Sequence, residues 1–363
     1  MRNKWLVRFV VLTILVGVGS SAFPARAQSF SAWSAPVNLN AITLSDGSLC
    51  PAVINSASSD SHPAISKDGL SLIFASNRPG GFGEFDLWVT QRDTSDDCWQ
   101  PPVNLGPVVN SAFRDFAPNL STDGHWLFFH SNRTQPDAFG KLPCGGQDLY
   151  ATHRQNKRDD FGWEAPINLG CTLNTSVDDA GPTFFEDGST GILYLYFTRN
   201  NKANDPNSTF FDIYVSSCSA DLDTCNTQGL WGPAVTVDAL NSPFRDTRTA
   251  IRRRDGLEMI LSTGRPGSLG NEDLWVSTRA TTQDQNWSAP VPINCDWLPT
   301  LPQYLDCLPH PPDVPNVNSP AFDGSPALSW DGTELYFSSE RTGVPGFAGG
   351  RDLYVSKRTK VPD

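Results

Sequence analysis

The residue with the most chemical potential in this sequence is an aspartate that returns five times in the same setting: Asp60, Asp115, Asp179, Asp246 and Asp323. Each is followed, eight or nine residues on, by an Asp-Gly pair and then by an apolar run. Five carboxylates around one axis would offer oxygen ligands to a cation such as Ca2+. Two of them could also serve as acid and base on a glycosidic bond. A residue that recurs in every unit more simply does a job each unit needs, such as accepting backbone N–H bonds or pairing with Arg114 or Arg245. Two further sets recur once per unit: arginines 78, 133, 199, 265 and 341, and aspartates 86, 148, 212, 273 and 352. Their regularity predicts an internal ion pair that holds the glycine-rich loop between them.

Catalytic motifs are otherwise missing from the sequence. There is no His-Glu-x-x-His zinc helix, no Gly-x-Ser-x-Gly elbow and no phosphate loop. The five histidines (62, 125, 130, 153 and 310) show no ligand spacing, so no metal is assigned. Residues that break the repeat are the better candidates for ligand binding: His62, Phe82, Phe85, Phe139, Phe210, Phe211, Trp297, Tyr304 and Phe347. Aromatic side chains rimmed by polar groups suit sugar or peptide recognition.

The elements that position these residues follow from the repeat itself. One copy reads Asp60-Ser-His-Pro63, Ser66-Lys-Asp68-Gly69, Leu72-Ile-Phe74-Ala-Ser76-Asn-Arg78, then Asp86-Leu-Trp88-Val89. The others begin at Asp115, Asp179, Asp246 and Asp323. Between copies stands a Trp-x-x-Pro element, at Trp33, Trp99, Trp163, Trp231 and Trp287, followed by Asn55, Asn110, Asn174, Asn241 and Asn318, each before Ser or Thr. Asp-Gly marks a tight hairpin, because glycine supplies the positive φ such turns need. Each unit thus gives four short antiparallel strands, the signature of a propeller blade. The predicted fold is all-β: a five-bladed β-propeller with four-stranded antiparallel blades. Because the chain starts with a Trp element and ends with a third strand, the N-terminal strand is expected to close the last blade and remove an exposed edge.

Insertions fall after the fourth strand and between the second and third, which places them on one face of the disc, the loop-decorated face. The longest spans residues 294–316. Eight cysteines are an even count, which in an exported chain reads as disulfides. Cys218 and Cys225 share a loop, Cys295 and Cys307 share the long insertion, and Cys144 and Cys171 lie on the decorated face of the second blade. Cys50 and Cys98 are the remaining pair.

Residues 1–27 read as a secretory signal: Arg2 and Lys4, an apolar run from Trp5 to Val18, and a small-x-small pattern ending at Ala27. The run contains Arg8 and falls short of the about 20 residues a membrane span needs. Residues 28–363 are expected to form one propeller domain, periplasmic or secreted, monomeric and without a membrane span. Without the signal, 27 basic residues fall to 23 against 39 acidic ones, a net charge of −16. That excludes nucleic acid as an expected partner, since its phosphates need a basic face.

The pattern Pro-x-x-Ser-x-Asp-Gly-x-x-Leu-x-Phe-x-Ser-x-Arg, a glycine-rich loop and Asp-Leu-Tyr/Trp-Val resembles the TolB-type, WD-repeat-like propellers of bacterial envelope proteins. The first, second and fifth copies match closely, while the fourth has Thr249 in place of the proline. The resemblance implies a binding platform. The leading expectation is therefore a non-catalytic propeller, more a binder than an enzyme, that recognises a glycan, a peptide or an envelope protein on the decorated face. The alternatives are a glycan-active hydrolase or lyase using the channel carboxylates, and a scaffold for protein interaction.

Overall fold

The computed structural model describes residues 28–200, 210–283, 285–293 and 316–362. Five four-stranded antiparallel sheets make up the molecule. The first strand, β1 (Val37–Asn38), is followed by blade one: β2 (Asp60–Ile65), β3 (Ser71–Ser76), β4 (Asp86–Gln91) and β5 (Val103–Asn104). Blade two is β6 (Asp115–Leu120), β7 (Trp126–Ser131), β8 (Asp148–His153) and β9 (Ile167–Asn168). Blade three is β10 (Asp179–Glu186), β11 (Leu193–Asn200), β12 (Phe211–Cys218) and β13 (Val235–Thr236), with the short helix α1 (Leu222–Thr227) before its last strand. Blade four is β14 (Asp246–Ile251), β15 (Glu258–Thr263), β16 (Asp273–Thr278) and β17 (Val291–Pro292). The last blade holds β18 (Asp323–Leu328), β19 (Glu334–Ser339) and β20 (Asp352–Lys357), and β1 completes it, pairing Val37 with Val355 and Asn38 with Tyr354. The innermost strands touch in ring order, and β18 touches β2, so the ring is closed.

Apolar side chains from both faces of each sheet fill five clusters, most of which join neighbouring blades. Phe74, Trp99, Ala327 and Tyr336, for example, join blades one and five. Each Trp of the Trp-x-x-Pro element is buried. In four blades an arginine just past the third strand stacks on it: Arg92 on Trp99 at 4.4 Å, Arg154 on Trp163 at 4.3 Å, Arg279 on Trp287 at 4.4 Å and Arg358 on Trp33 at 4.2 Å. Blade three has Ser219 at that position. There Trp231 Nε1 donates to Asn226 Oδ1 at 2.9 Å, and the Cys218–Cys225 disulfide fixes the loop.

The Asn of each Asn-Ser/Thr pair staples its element to the preceding blade. Asn110 Oδ1 accepts from Leu87 N at 2.8 Å and its Nδ2 donates back to Leu87 O at 3.0 Å. Asn55 does the same to Leu353 and also donates to Asn38 Oδ1 at 2.8 Å, so the staple closes the seam between the chain's first and last strands. The Cys50–Cys98, Cys144–Cys171 and Cys218–Cys225 disulfides are formed, whereas Cys295 and Cys307 lie outside the described residues. The first of these ties the segment between β1 and β2 to the β4–β5 connection, which lies at the other end of blade one. That segment therefore runs down the side of the disc and does not stay on the decorated face. The proposed signal also lies outside the described residues, among which no helix is long and apolar enough to cross a membrane.

Candidate functional site

The five repeated aspartates do not present their carboxylates to the channel. All are fully buried, and each pairs with the arginine at the end of its own blade's second strand: Asp60 with Arg78 (2.6 Å), Asp115 with Arg133, Asp179 with Arg199 (2.6 Å), Asp246 with Arg265 (2.6 Å) and Asp323 with Arg341 (2.5 Å). The second carboxylate oxygen accepts the backbone N–H and hydroxyl of the Ser or Thr four residues upstream, as Asp60 does from Ser56 at 2.6 and 2.9 Å. With these lone pairs occupied, no oxygen cage is left for Ca2+. Among the described residues no cluster of metal-ligating side chains is found. Neither Arg114 nor Arg245 is the partner; they pair with Glu84 and Glu272 instead.

The expected pairing of second-strand arginine with third-strand aspartate is also corrected. The third-strand aspartate holds the glycine-rich loop by accepting backbone N–H bonds. Asp86 takes Phe82 N at 2.5 Å and Gly83 N at 3.1 Å, and Asp148 takes Cys144 N at 2.6 Å and Gly145 N at 3.1 Å. Lacking a cation, some of these carboxyls are hard to ionise. Burial pushes Asp273 up to about 7, helped by the nearby charge of Asp323.

The place where the repeat breaks is two residues after each ring aspartate. There every innermost strand carries one extra residue opposite its neighbour, a β-bulge. The bulged residues His62 (φ 55°), Ala117 (53°), Gly181 (61°), Arg248 (43°) and Ser325 (55°) are all left-handed. Such backbone costs about 1–3 kcal/mol at a residue other than glycine, so the surrounding structure must hold it. Proline follows in blades one, two, three and five, where its missing N–H suits a bulge, and Thr249 follows in blade four. Three of the freed amides are caught across a blade boundary: His62 N by Ser338 Oγ (3.0 Å), Ser325 N by Ser262 Oγ (2.9 Å) and Gly181 N by His130 Nδ1 (3.2 Å).

These five residues and those that follow them line a narrow axial cup. Its other end is plugged by Arg253, whose guanidinium donates across the axis to Leu120 O (3.1 Å) and Ile65 O (2.8 Å). The axis is therefore blocked at that end. Phe116 stands beside the cup, with His62 at 4.1 Å, Phe85 at 4.8 Å and His130 at 5.6 Å between ring centroids. Burial, followed by nearby arginines, holds both imidazoles well below the ordinary histidine range, so they are neutral at pH 7. Glu272 approaches from the rim, where Arg245 Nε donates to it at 2.8 Å and Thr247 Oγ1 at 3.0 Å.

Of the ligand-binding candidates, His62 and Phe85 converge here through Phe116. Phe82, Phe139 and Phe347 are exposed on loops of three different blades, and Phe210 is exposed beside β12. Phe211 lies under Arg245 at 5.1 Å. Trp297 and Tyr304 are outside the described residues. Arg248, His130, Phe116 and Glu272 escaped the sequence reading. The available signal was the position two after each ring aspartate, which reads His, Ala, Gly, Arg and Ser in an otherwise strict repeat.

No family model matches the sequence, and no curated protein matches it. Solved structures do resemble the fold. An α-L-arabinofuranosidase from Lactobacillus brevis is 18% identical with a TM-score of 0.50, over 87% of this chain and 94% of that one. The catalytic domain of a Coprinopsis cinerea GH62 α-L-arabinofuranosidase is 12% identical with a TM-score of 0.50, over 90% and 97% of the two chains. At such identities the likeness concerns the fold. The TolB-type resemblance holds as far as the five-bladed propeller, but these two similar structures are arabinofuranosidases.

Proposed function

We propose that this chain is a glycan-active hydrolase whose site is the axial cup on the decorated face. The observation that carries this reading is that the residues breaking the fivefold repeat (His62, Arg248, Ser325, with His130 and Glu272) converge on one cup beside Phe116. This replaces the expectation of a non-catalytic binding module that is more a binder than an enzyme. What overturns that expectation is the likeness of nearly the whole chain to the two arabinofuranosidases, a fold-level argument. A glycan bearing arabinofuranosyl units is the substrate class it supports.

Glycoside hydrolysis calls for two carboxyl groups. The ring aspartates cannot supply them while locked to their arginines. Glu272 is the first of the pair we propose, since its side chain is largely enclosed and stands next to the cup-lining strand β14. Glu84 and Glu340, paired with Arg114 and Arg351 on the same face, are the choices for the second. Phe116 and Phe85 supply an apolar platform for a sugar ring.

The test is to incubate the chain with arabinoxylan, arabinan and xylan oligosaccharides and follow products by mass spectrometry. New masses that disappear in Glu272→Gln, but persist in a folded Asp115→Asn variant, are expected. No conversion of any substrate, or conversion untouched by Glu272→Gln, would overturn the assignment.

A further inference from the structure

Besides the Arg253 plug, the cup lining holds one cation that forms no ion pair among the described residues. Arg248 is the bulged residue of blade four, and its side chain crosses the axis. Its Nη1 lies against Gly181 of blade three so closely that a Cβ there would stand 2.3 Å from it. Its guanidinium carbon is 5.7 Å from the ring centre of Phe116, in blade two. Nη1 is enclosed and has no hydrogen-bond partner. The three rim arginines each hold a carboxylate: Arg114 with Glu84 (3.7 Å), Arg245 with Glu272 (2.8 Å) and Arg351 with Glu340 (2.6 Å). Among the described residues Arg248 has none within ion-pair distance. A buried, unpaired donor is costly, and the left-handed backbone at Arg248 adds strain. Burial and the repulsion of Arg245 lower its pKa to about 9, against the attraction of Glu272, so it remains charged at neutral pH, and Glu272 itself is bonded to Arg245.

We propose that Arg248 is the anchor for a carboxylate of the substrate, so that the glycan taken into the cup carries a uronate unit. This rests on the hydrolase reading given above and narrows its substrate class. The surroundings favour a carboxylate over a phosphate. Both histidines beside it are neutral, so the open end of the cup offers the single charge of Arg248, with Arg253 held by carbonyls at the closed end, and the chain as a whole carries −12, which repels polyanions. A guanidinium matches the planar fork of a carboxylate. Phe116 can then take the apolar face of the same sugar. A mainly neutral glycan with a single uronosyl branch meets all these conditions.

The experiment measures binding by titration calorimetry with three probes: a xylo-oligosaccharide bearing one glucuronosyl branch, the same compound with that carboxyl reduced to the alcohol, and inorganic phosphate. Loss of one charge-assisted contact should weaken binding roughly tenfold or more between the first and second probes. Arg248→Met should bring those two affinities within about twofold, and Arg248→Lys should keep part of the difference. Equal affinity of the wild-type chain for the acidic and reduced compounds would overturn the proposal, as would tighter binding of phosphate. The wild-type comparison needs no variant, so it decides the matter even if Arg248→Met fails to fold. Hydrolysis of the reduced compound with no preference for the acidic one sinks the anchor and leaves the hydrolase reading intact. Arg248-dependent binding of the acidic compound without hydrolysis of either does the reverse.

Discussion

Replacing Asp115 with asparagine separates a structural carboxylate from a chemical one. The native side chain is fully enclosed and bonded to Arg133, and it accepts Ser111 N at 2.6 Å and Ser111 Oγ at 2.8 Å. Asparagine has the same shape, so no cavity opens. It keeps one acceptor but turns an NH2 group towards either the guanidinium or the Ser111 amide, donor against donor. Arg133 is only 12% exposed and would be left without a carboxylate. It would keep two weaker contacts, Nη2 to Val109 O at 3.0 Å and Nε to Ser131 Oγ at 3.1 Å. Removing one partner of a buried pair costs ~3–5 kcal/mol, and those surviving contacts place this case near the lower end. Urea unfolding followed by tryptophan fluorescence should show the midpoint falling with the slope unchanged. Asp246→Asn should cost more, because Thr263 Oγ1 also donates to that carboxylate at 2.6 Å. A loss below ~1 kcal/mol would refute the reasoning, because a buried pair cannot be broken so cheaply. Unchanged stability with glycan conversion abolished would return Asp115 to the chemistry.

Two more outcomes follow from the same geometry. Asn55→Ala and Asn174→Ala remove the same set of buried hydrogen bonds, so their stability losses should agree within about 1 kcal/mol. Only Asn55→Ala should speed amide exchange in β1, and equal exchange in both variants would deny the seam its special place. His62 and His130 are neutral in the fold and ordinary when unfolded, so their contribution to stability is full above pH ~6.5 and is lost as pH falls below it. His62→Asn should flatten the pH dependence of the unfolding midpoint between pH 5 and 7; a profile as steep as wild type would show that His62 is not neutral in the folded chain.

The propeller was legible because a repeat states its own register. Asp-Gly turns, period-two apolar runs and a displaced Trp element left few ways to arrange the strands, and Asn38 pairing with Tyr354 follows that logic. The site was less legible for two reasons. Spacing gives distance along the chain but not which strand end a long side chain folds over. Arg78 therefore looked as able to reach Asp86 as Asp60, and it turns back to Asp60. The cup, in turn, arises from a bulge of one residue, which no local propensity announces. His62 stood out by type, whereas Arg248, between Thr247 and Thr249, gained its meaning only when the backbone placed it across the axis from Phe116. The Ca2+ expectation fell because identical residues are also identically satisfied.

The pairing of β1 with β20 sets an order of events. Four blades draw all their strands from contiguous stretches and can form as each stretch becomes available, whereas the fifth needs the beginning and the end of the chain together. Its last strand pair closes the longest loop in the molecule, so it is entropically the most demanding step and is favoured only once the others have narrowed the search. Until then β20 and Leu353 offer open backbone groups to any passing strand. The half-made disc is thus the state most exposed to association with its own copies, and the few residues from Val37 to Asn55 act as the latch that ends that exposure.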